Sequence, residues 1–134
     1  MLLRCRCGPV RVMSQGPEKS NAQQLVAQRS DSKAITVINP GNPVGAVLDR
    51  EVMVINFATE QKLVILADEV YQANVYAEGK QFHSFKKVLR ELQAEDKKRY
   101  AETQLISGFH STSKGIIGEC GQRGGYMEYV GPTF

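Results

Sequence analysis

Cysteine is scarce in this sequence, and the three present do not make a framework. Cys5 and Cys7 are separated by one residue, tighter than the usual zinc-ligand pair, and no second pair completes a site. Cys120 stands alone and is expected to be a small buried thiol. An odd count without a second cluster points to reduced thiols in an intracellular setting. Long apolar runs are also missing. None approaches the roughly 18–20 residues that a helical membrane span needs. Charge of one sign is not in excess either: the formal net charge is +3. That excludes the basic footprint of a nucleic-acid binder, so Lys86-Lys87 and Lys97-Lys98-Arg99 read as a solvated helix surface. Repeats and low-complexity tracts are absent.

What remains is the composition of a folded globular chain, 42% hydrophobic and 23% charged. Its 134 residues allow one domain at most. A chain of this size hides roughly 65–70% of its unfolded surface. Residues 1–33 are expected to be poorly structured, because Gly8-Pro9 and Gly16-Pro17 break any regular pattern. Within them, Arg4, Arg6 and Arg11 occur with no acid before Pro17, faintly like an organelle transit peptide, but no apolar core suggests secretion. The stretch reads as an ill-structured leader, with one short helix expected over 21–29, where Asn21 can serve as its N-cap.

From residue 33 the pattern becomes regular. Residues 33–38 are short, apolar and β-branched, which predicts a buried strand. Residues 49–62 predict a helix with Asp49 as N-cap and Val52, Ile55, Asn56 and Thr59 at helical spacing. The continuous apolar run 63–67 suits a parallel strand buried on both faces. Residues 84–100 carry Phe85, Val88, Leu89 and Leu92, an i, i+3, i+4, i+7 stripe opposite a charged face. Residues 104–109 and 124–130 predict two more strands, the latter entered through glycines. Strand–helix–strand–helix–strand is the α/β pattern. It predicts an incomplete, mainly parallel sheet flanked by helices over 34–130, with 131–134 as a tail.

Parallel sheets place ligand sites beyond the carboxyl ends of their strands. Three polar segments follow predicted strands here: the loop holding Asn42, the acid Asp68, and Ser111 through Lys114. They can therefore converge on one rim. Taken alone, each has an ordinary reading: Asn-Pro and Pro-Gly form turns everywhere, an Asp after a strand often caps a helix, and a lysine in a Ser-rich loop is commonly a surface charge. Glu69 competes with Asp68 for any acid role. His83 and His110 have no partner pattern and read as structural or exposed. Gly118 and Gly121 suggest close backbone turns.

In chain order the sequence reads Asn39-Pro40-Gly41-Asn42-Pro43-Val44-Gly45, then Ala67-Asp68-Glu69-Val70-Tyr71, then Ser111-Thr112-Ser113-Lys114-Gly115, then Gly121-Gln122-Arg123-Gly124-Gly125-Tyr126. This series resembles the fold-type I aminotransferases that depend on pyridoxal 5'-phosphate (PLP), nearest to the alanine aminotransferase group. The run from Gly118 to Tyr126 favours that group. The resemblance covers about residues 34–130 and implies part of the large, cofactor-binding domain of a longer enzyme. It implies that Lys114 binds the cofactor covalently and moves the substrate Cα proton. Asp68 would hold the pyridine nitrogen, Asn42 and Tyr71 the ring 3'-oxygen, and Ser111, Ser113 and Arg123 the phosphate. The family's loop implies a cis bond at Asn42–Pro43. The family usually has Thr where Val44 stands.

The implied reaction is amino-group transfer between L-alanine and 2-oxoglutarate. Glutamate–glyoxylate transamination uses the same motifs, and an aminocyclopropane-carboxylate synthase, an aromatic aminotransferase or an inactive remnant are further alternatives. The resemblance also implies a homodimer at full length, a cytoplasmic or mitochondrial setting, and a substrate-carboxylate-binding Arg in a small domain. No segment here matches that domain, so little turnover is expected of this stretch by itself.

Overall fold

The computed structural model describes residues 12–13, 32–43, 45–48, 51–115 and 118–132. The helix expected over 21–29, the leader with Cys5 and Cys7, Val44 and the Asp49 cap lie outside the described residues. The elements are β1 (Val12–Met13), β2 (Ala34–Ile38), α1 (Glu51–Glu60), β3 (Val64–Asp68), α2 (Phe85–Glu95), β4 (Leu105–Ser111) and β5 (Gly125–Val130). They form one sheet in the order β1-β2-β3-β4-β5. The first four strands run parallel, and β5 returns antiparallel to β4. The mainly parallel α/β sheet expected from the sequence is thus the one observed. β1 is an addition. It pairs Val12 with Thr36 and Met13 with Val37, inside the stretch where the breakers predicted little regular structure.

Alternation along the strands puts Ile35, Val37, Ile65, Ala67 and Leu105 on one face, joined by Val130, the partner of Leu105. Val54, Ile55 and Ala58 of α1 and Phe85, Val88 and Leu89 of α2 complete this core. The opposite residues of β2 and β3, including Ile38 and Asp68, are half-buried.

The predicted stripe of α2 is the observed one, with Leu92 packed partly against the core. Ser84 caps its start, its hydroxyl accepting from the Lys87 amide at 3.2 Å. The helix stops short of residue 100. Asp96 leaves helical backbone at φ −140° and ψ 80°, and its carboxylate accepts the Arg99 amide at 3.0 Å. A short acid competing for nearby amides favours a turn over another helical turn. That turn returns Tyr100 to the core, where its hydroxyl donates to Asn56 Oδ1 at 2.6 Å.

The buried face of α1 also differs from the expected one. Glu51, Val54, Ile55 and Ala58 are buried, whereas Val52 is exposed. The stripe has the helical period, but it is rotated to include an acid whose partner lies in a distant loop. The helix ends at Glu60, and just beyond it Lys62 takes the left-handed conformation at φ 53° while the Leu63 amide donates back to the Ala58 carbonyl at 2.8 Å.

Candidate active site

Because β2, β3 and β4 run parallel, their carboxyl ends share one edge of the sheet. The segments after them carry the site residues predicted from the sequence. Ile38 and Asp68 are paired in register, and the Asn39 amide donates to the Asp68 carbonyl at 2.9 Å. The loop leaving β2 therefore starts on the strand that ends at Asp68.

That loop is tightly closed. The Gly41 amide donates to Ala46 at 2.8 Å, and the Gly45 amide donates to Gly41 at 2.6 Å. Gly45 has φ +70°, a conformation natural to glycine. The peptide bond Asn42–Pro43 is cis, as expected, and Asn39–Pro40 is cis as well, which was not foreseen. Asn42 sits exposed at the loop's turn, and its side-chain amide donates to the Tyr71 hydroxyl at 3.3 Å. These two residues lie 29 positions apart and descend from different strands.

Asp68 is half-buried at the end of β3, and one carboxylate oxygen accepts the Val70 amide at 3.4 Å. Its neighbour goes the other way. Glu69 is 7% exposed, and its carboxylate accepts the Phe85 amide at 2.7 Å, so it caps the start of α2 from below. Burial pushes the Glu69 carboxyl up from its ordinary value of 4.5 to about 7. The Phe85 amide opposes that rise, and the nearby Glu51 and Asp68 add to it. Alternation thus divides the two adjacent acids between opposite faces, Glu69 buried against the start of α2 and Asp68 half-buried on the other.

The third segment is knitted to the fourth. The Lys114 amide donates to the Ser111 carbonyl at 3.0 Å, and the Ser113 amide donates to the Ser111 hydroxyl at 3.1 Å. Thr112 ties this loop to residues 118–124: its amide donates to Gly124 at 3.2 Å, its carbonyl accepts from Glu119 at 2.9 Å, and its hydroxyl donates to the Gln122 carbonyl. Gly118 takes the left-handed conformation at φ +56°, which fits the backbone turn expected there. The Arg123 guanidinium donates to the Cys120 carbonyl at 3.1 Å. It is folded onto its own loop, with no hydrogen bond to Ser111 or Ser113. Cys120 is exposed, not buried as expected, since it lies on the outer turn with its thiol toward the Ser113 and Gly118 carbonyls. His110 is exposed and meets the Tyr126 ring across the β4–β5 pair at 5.5 Å.

Sequence reasoning passed over two residues of this edge. Asn39 was taken as part of a turn, yet it is fully buried, and its side chain accepts from the Leu48 amide and donates to Glu51. Glu51 carried no sequence signal of its own, yet it is 4% exposed at the start of α1. The signal available was an Asn-Pro pair a dozen residues before an acid at a helix start.

The sequence profile of the family described as aminotransferase class I and II matches residues 5–129. This chain belongs to that family. The match begins well upstream of residue 34, where the resemblance by motif had started. Among curated aminotransferases, human alanine aminotransferase 1 is 60% identical over 100 residues, covering 73% of this chain and 19% of that protein. A probable mitochondrial alanine aminotransferase of Dictyostelium discoideum is 50% identical over 111 residues, covering 81% of this chain and 20% of that protein. The chain therefore spans about a fifth of the length of these relatives. Among solved structures, an alanine aminotransferase from Pyrococcus furiosus superposes with a TM-score of 0.62 at 26% identity, covering 87% of this chain and 26% of that one. No helix among the described residues of this aminotransferase-family chain is long and apolar enough to cross a membrane.

Proposed function

We propose that this chain carries the PLP-binding edge of an aminotransferase that moves an amino group between L-alanine and 2-oxoglutarate. The observation that carries the reading is the Asn42–Tyr71 contact at 3.3 Å, beside the strand end that holds Asp68. An amide donor and a phenol from distant segments meet where a single ring oxygen could take both. The remaining groups suit a phosphorylated pyridine aldehyde. Asp68 offers a carboxylate with one oxygen engaged by a backbone amide. The Ser111 hydroxyl accepts one amide and keeps its own proton to donate. Lys114 is exposed, and among the described residues its amine meets no carboxylate.

In this reading Lys114 is the nucleophile that attaches the cofactor and then the base that carries the proton at the substrate Cα. When bound, the cofactor's ring supplies an electron sink for the charge left at that carbon. Asp68 keeps a proton on the ring nitrogen, and Asn42 and Tyr71 orient the ring through its 3'-oxygen. Ser111, Ser113 and Arg123 take the phosphate after the Arg123 side chain turns from Cys120. Alanine follows the names of the relatives above and 2-oxoglutarate the family resemblance, and the full reaction and a homodimer belong to a protein of their length. Small amino and oxo acids are the partners in this reading.

Titration of the chain with PLP tests it by absorbance. The wild-type chain should develop a visible band that borohydride removes, and Lys114→Ala should lack it. Asp68→Asn should weaken PLP binding roughly 10- to 100-fold, the effect of losing one charge-assisted hydrogen bond. An undiminished band in Lys114→Ala would refute the assignment.

A further inference from the structure

Asn39 is the buried junction of three segments at the site edge. Its backbone amide donates to the Asp68 carbonyl at 2.9 Å. Its side-chain oxygen accepts the Leu48 amide at 3.0 Å, nine residues on. Its side-chain nitrogen donates to Glu51 Oε1 at 3.4 Å, at the start of α1. The residue is 0% exposed and Glu51 is 4% exposed. Burying an amide and a carboxylate gains little stability over an apolar pair of similar shape. What the side-chain amide does that an apolar side chain cannot is tie residue 39 at once to Leu48 at the other end of the loop and to Glu51 at the start of α1, while its backbone amide fixes the same residue to the tip of β3. Asn42 lies inside the span so closed, and Tyr71 lies three residues beyond Asp68.

We propose that Asn39 is a positioning residue for the Asn42–Tyr71 pair. It closes the 39–48 loop onto Asp68 and Glu51, so that the Asn42 amide reaches the Tyr71 hydroxyl. Its own side chain is turned inward and touches no ligand. The contact it sets exists in the chain alone, and the consequence for PLP rests on the function proposed above.

A polarity-swap series tests it by NMR on the full chain without cofactor, reading the nuclear Overhauser contact between the Asn42 side-chain amide and the Tyr71 ring. Asn39→Asp keeps the acceptor for Leu48 but sets two carboxylates against each other, and should abolish the contact. Asn39→Asp combined with Glu51→Gln restores one donor and one acceptor with the direction reversed, and should restore it. Thr103→Val, which breaks the hydroxyl pair with Thr59 at 2.8 Å near the far end of α1, should lower stability and leave the contact intact. Should Asn39→Asp not fold, Asn39→Ser serves in its place, since a hydroxyl cannot span both partners. A contact that survives in the folded single variant, or that the double variant does not recover, overturns the proposal. The same variants are then titrated with PLP. Asn39→Asp should bind at least tenfold more weakly and the double variant near wild type. If the wild-type chain gives no band, the proposed function fails, and the positioning role is still decided by the cofactor-free spectra.

Discussion

Glu69→Gln should make the chain more stable above pH 7 by roughly 2–3 kcal/mol, and should leave its stability at pH 4.5 nearly unchanged. The Glu69 carboxyl is 7% exposed, and its folded value is raised from 4.5 to about 7. A group raised on folding favours the folded state fully below its unfolded value, and that contribution is lost as pH rises through the folded value. In the wild type, the loss therefore falls between pH 4.5 and somewhat above 7. Glutamine is neutral throughout, and its side-chain oxygen can still accept the Phe85 amide. Urea unfolding at several pH values reads the difference between the two chains. A difference that does not change with pH would show that Glu69 is not desolvated as described. The charges of Glu51 and Asp68 add to the rise of the Glu69 carboxyl and so extend the pH range over which this stability is lost.

Phe85→Ala should cost about 3–5 kcal/mol, a large part of the 5–15 kcal/mol that holds a typical domain together. The ring is 0% exposed and lies at the first position of α2, in the core shared with α1 and the sheet. The substitution leaves the Phe85 amide in place, so the Glu69 cap persists and the loss reports the ring alone. Denaturant unfolding at pH 6 measures it. A cost below about 1 kcal/mol would contradict the packing described.

Where one physical signal dominated a segment, the sequence was sufficient. The apolar run 63–67 is the strand between β2 and β4, one residue later than its predicted bounds, but it is not buried on both faces as expected: Ile65 and Ala67 are buried, while Val64, Leu66 and Asp68 on the other face are half-buried. The stripe of Phe85, Val88, Leu89 and Leu92 had one amphipathic solution. Signals that depend on distant partners were not legible. Glu51 faces inward because Asn39 meets it there, and no periodicity in 51–60 reveals that. Helix α2 ends at Asp96 because the acid's carboxylate finds the Arg99 amide, a choice between two local hydrogen-bond patterns. Cys120 is exposed because its turn lies on the outside of the 118–124 loop. At the site, motifs named the residues, while the fold separates Asp68 from Glu69 by face and brings Asn42 to Tyr71. The fold also holds Arg123 at the Cys120 carbonyl, a contact that motif matching could not supply.

The central claim is that Lys114 is the group that takes the cofactor. It is tested most directly by incubating the chain with PLP, reducing with borohydride, and mapping the adduct by peptide mass spectrometry. The account predicts a single modified peptide, the one containing Lys114, at one cofactor per chain, with the label lost when Asp68→Asn and Tyr71→Phe are combined at limiting PLP. Label spread over Lys86, Lys87, Lys97 and Lys98 in proportion to their exposure, with Lys114 no more modified than they are, would contradict it.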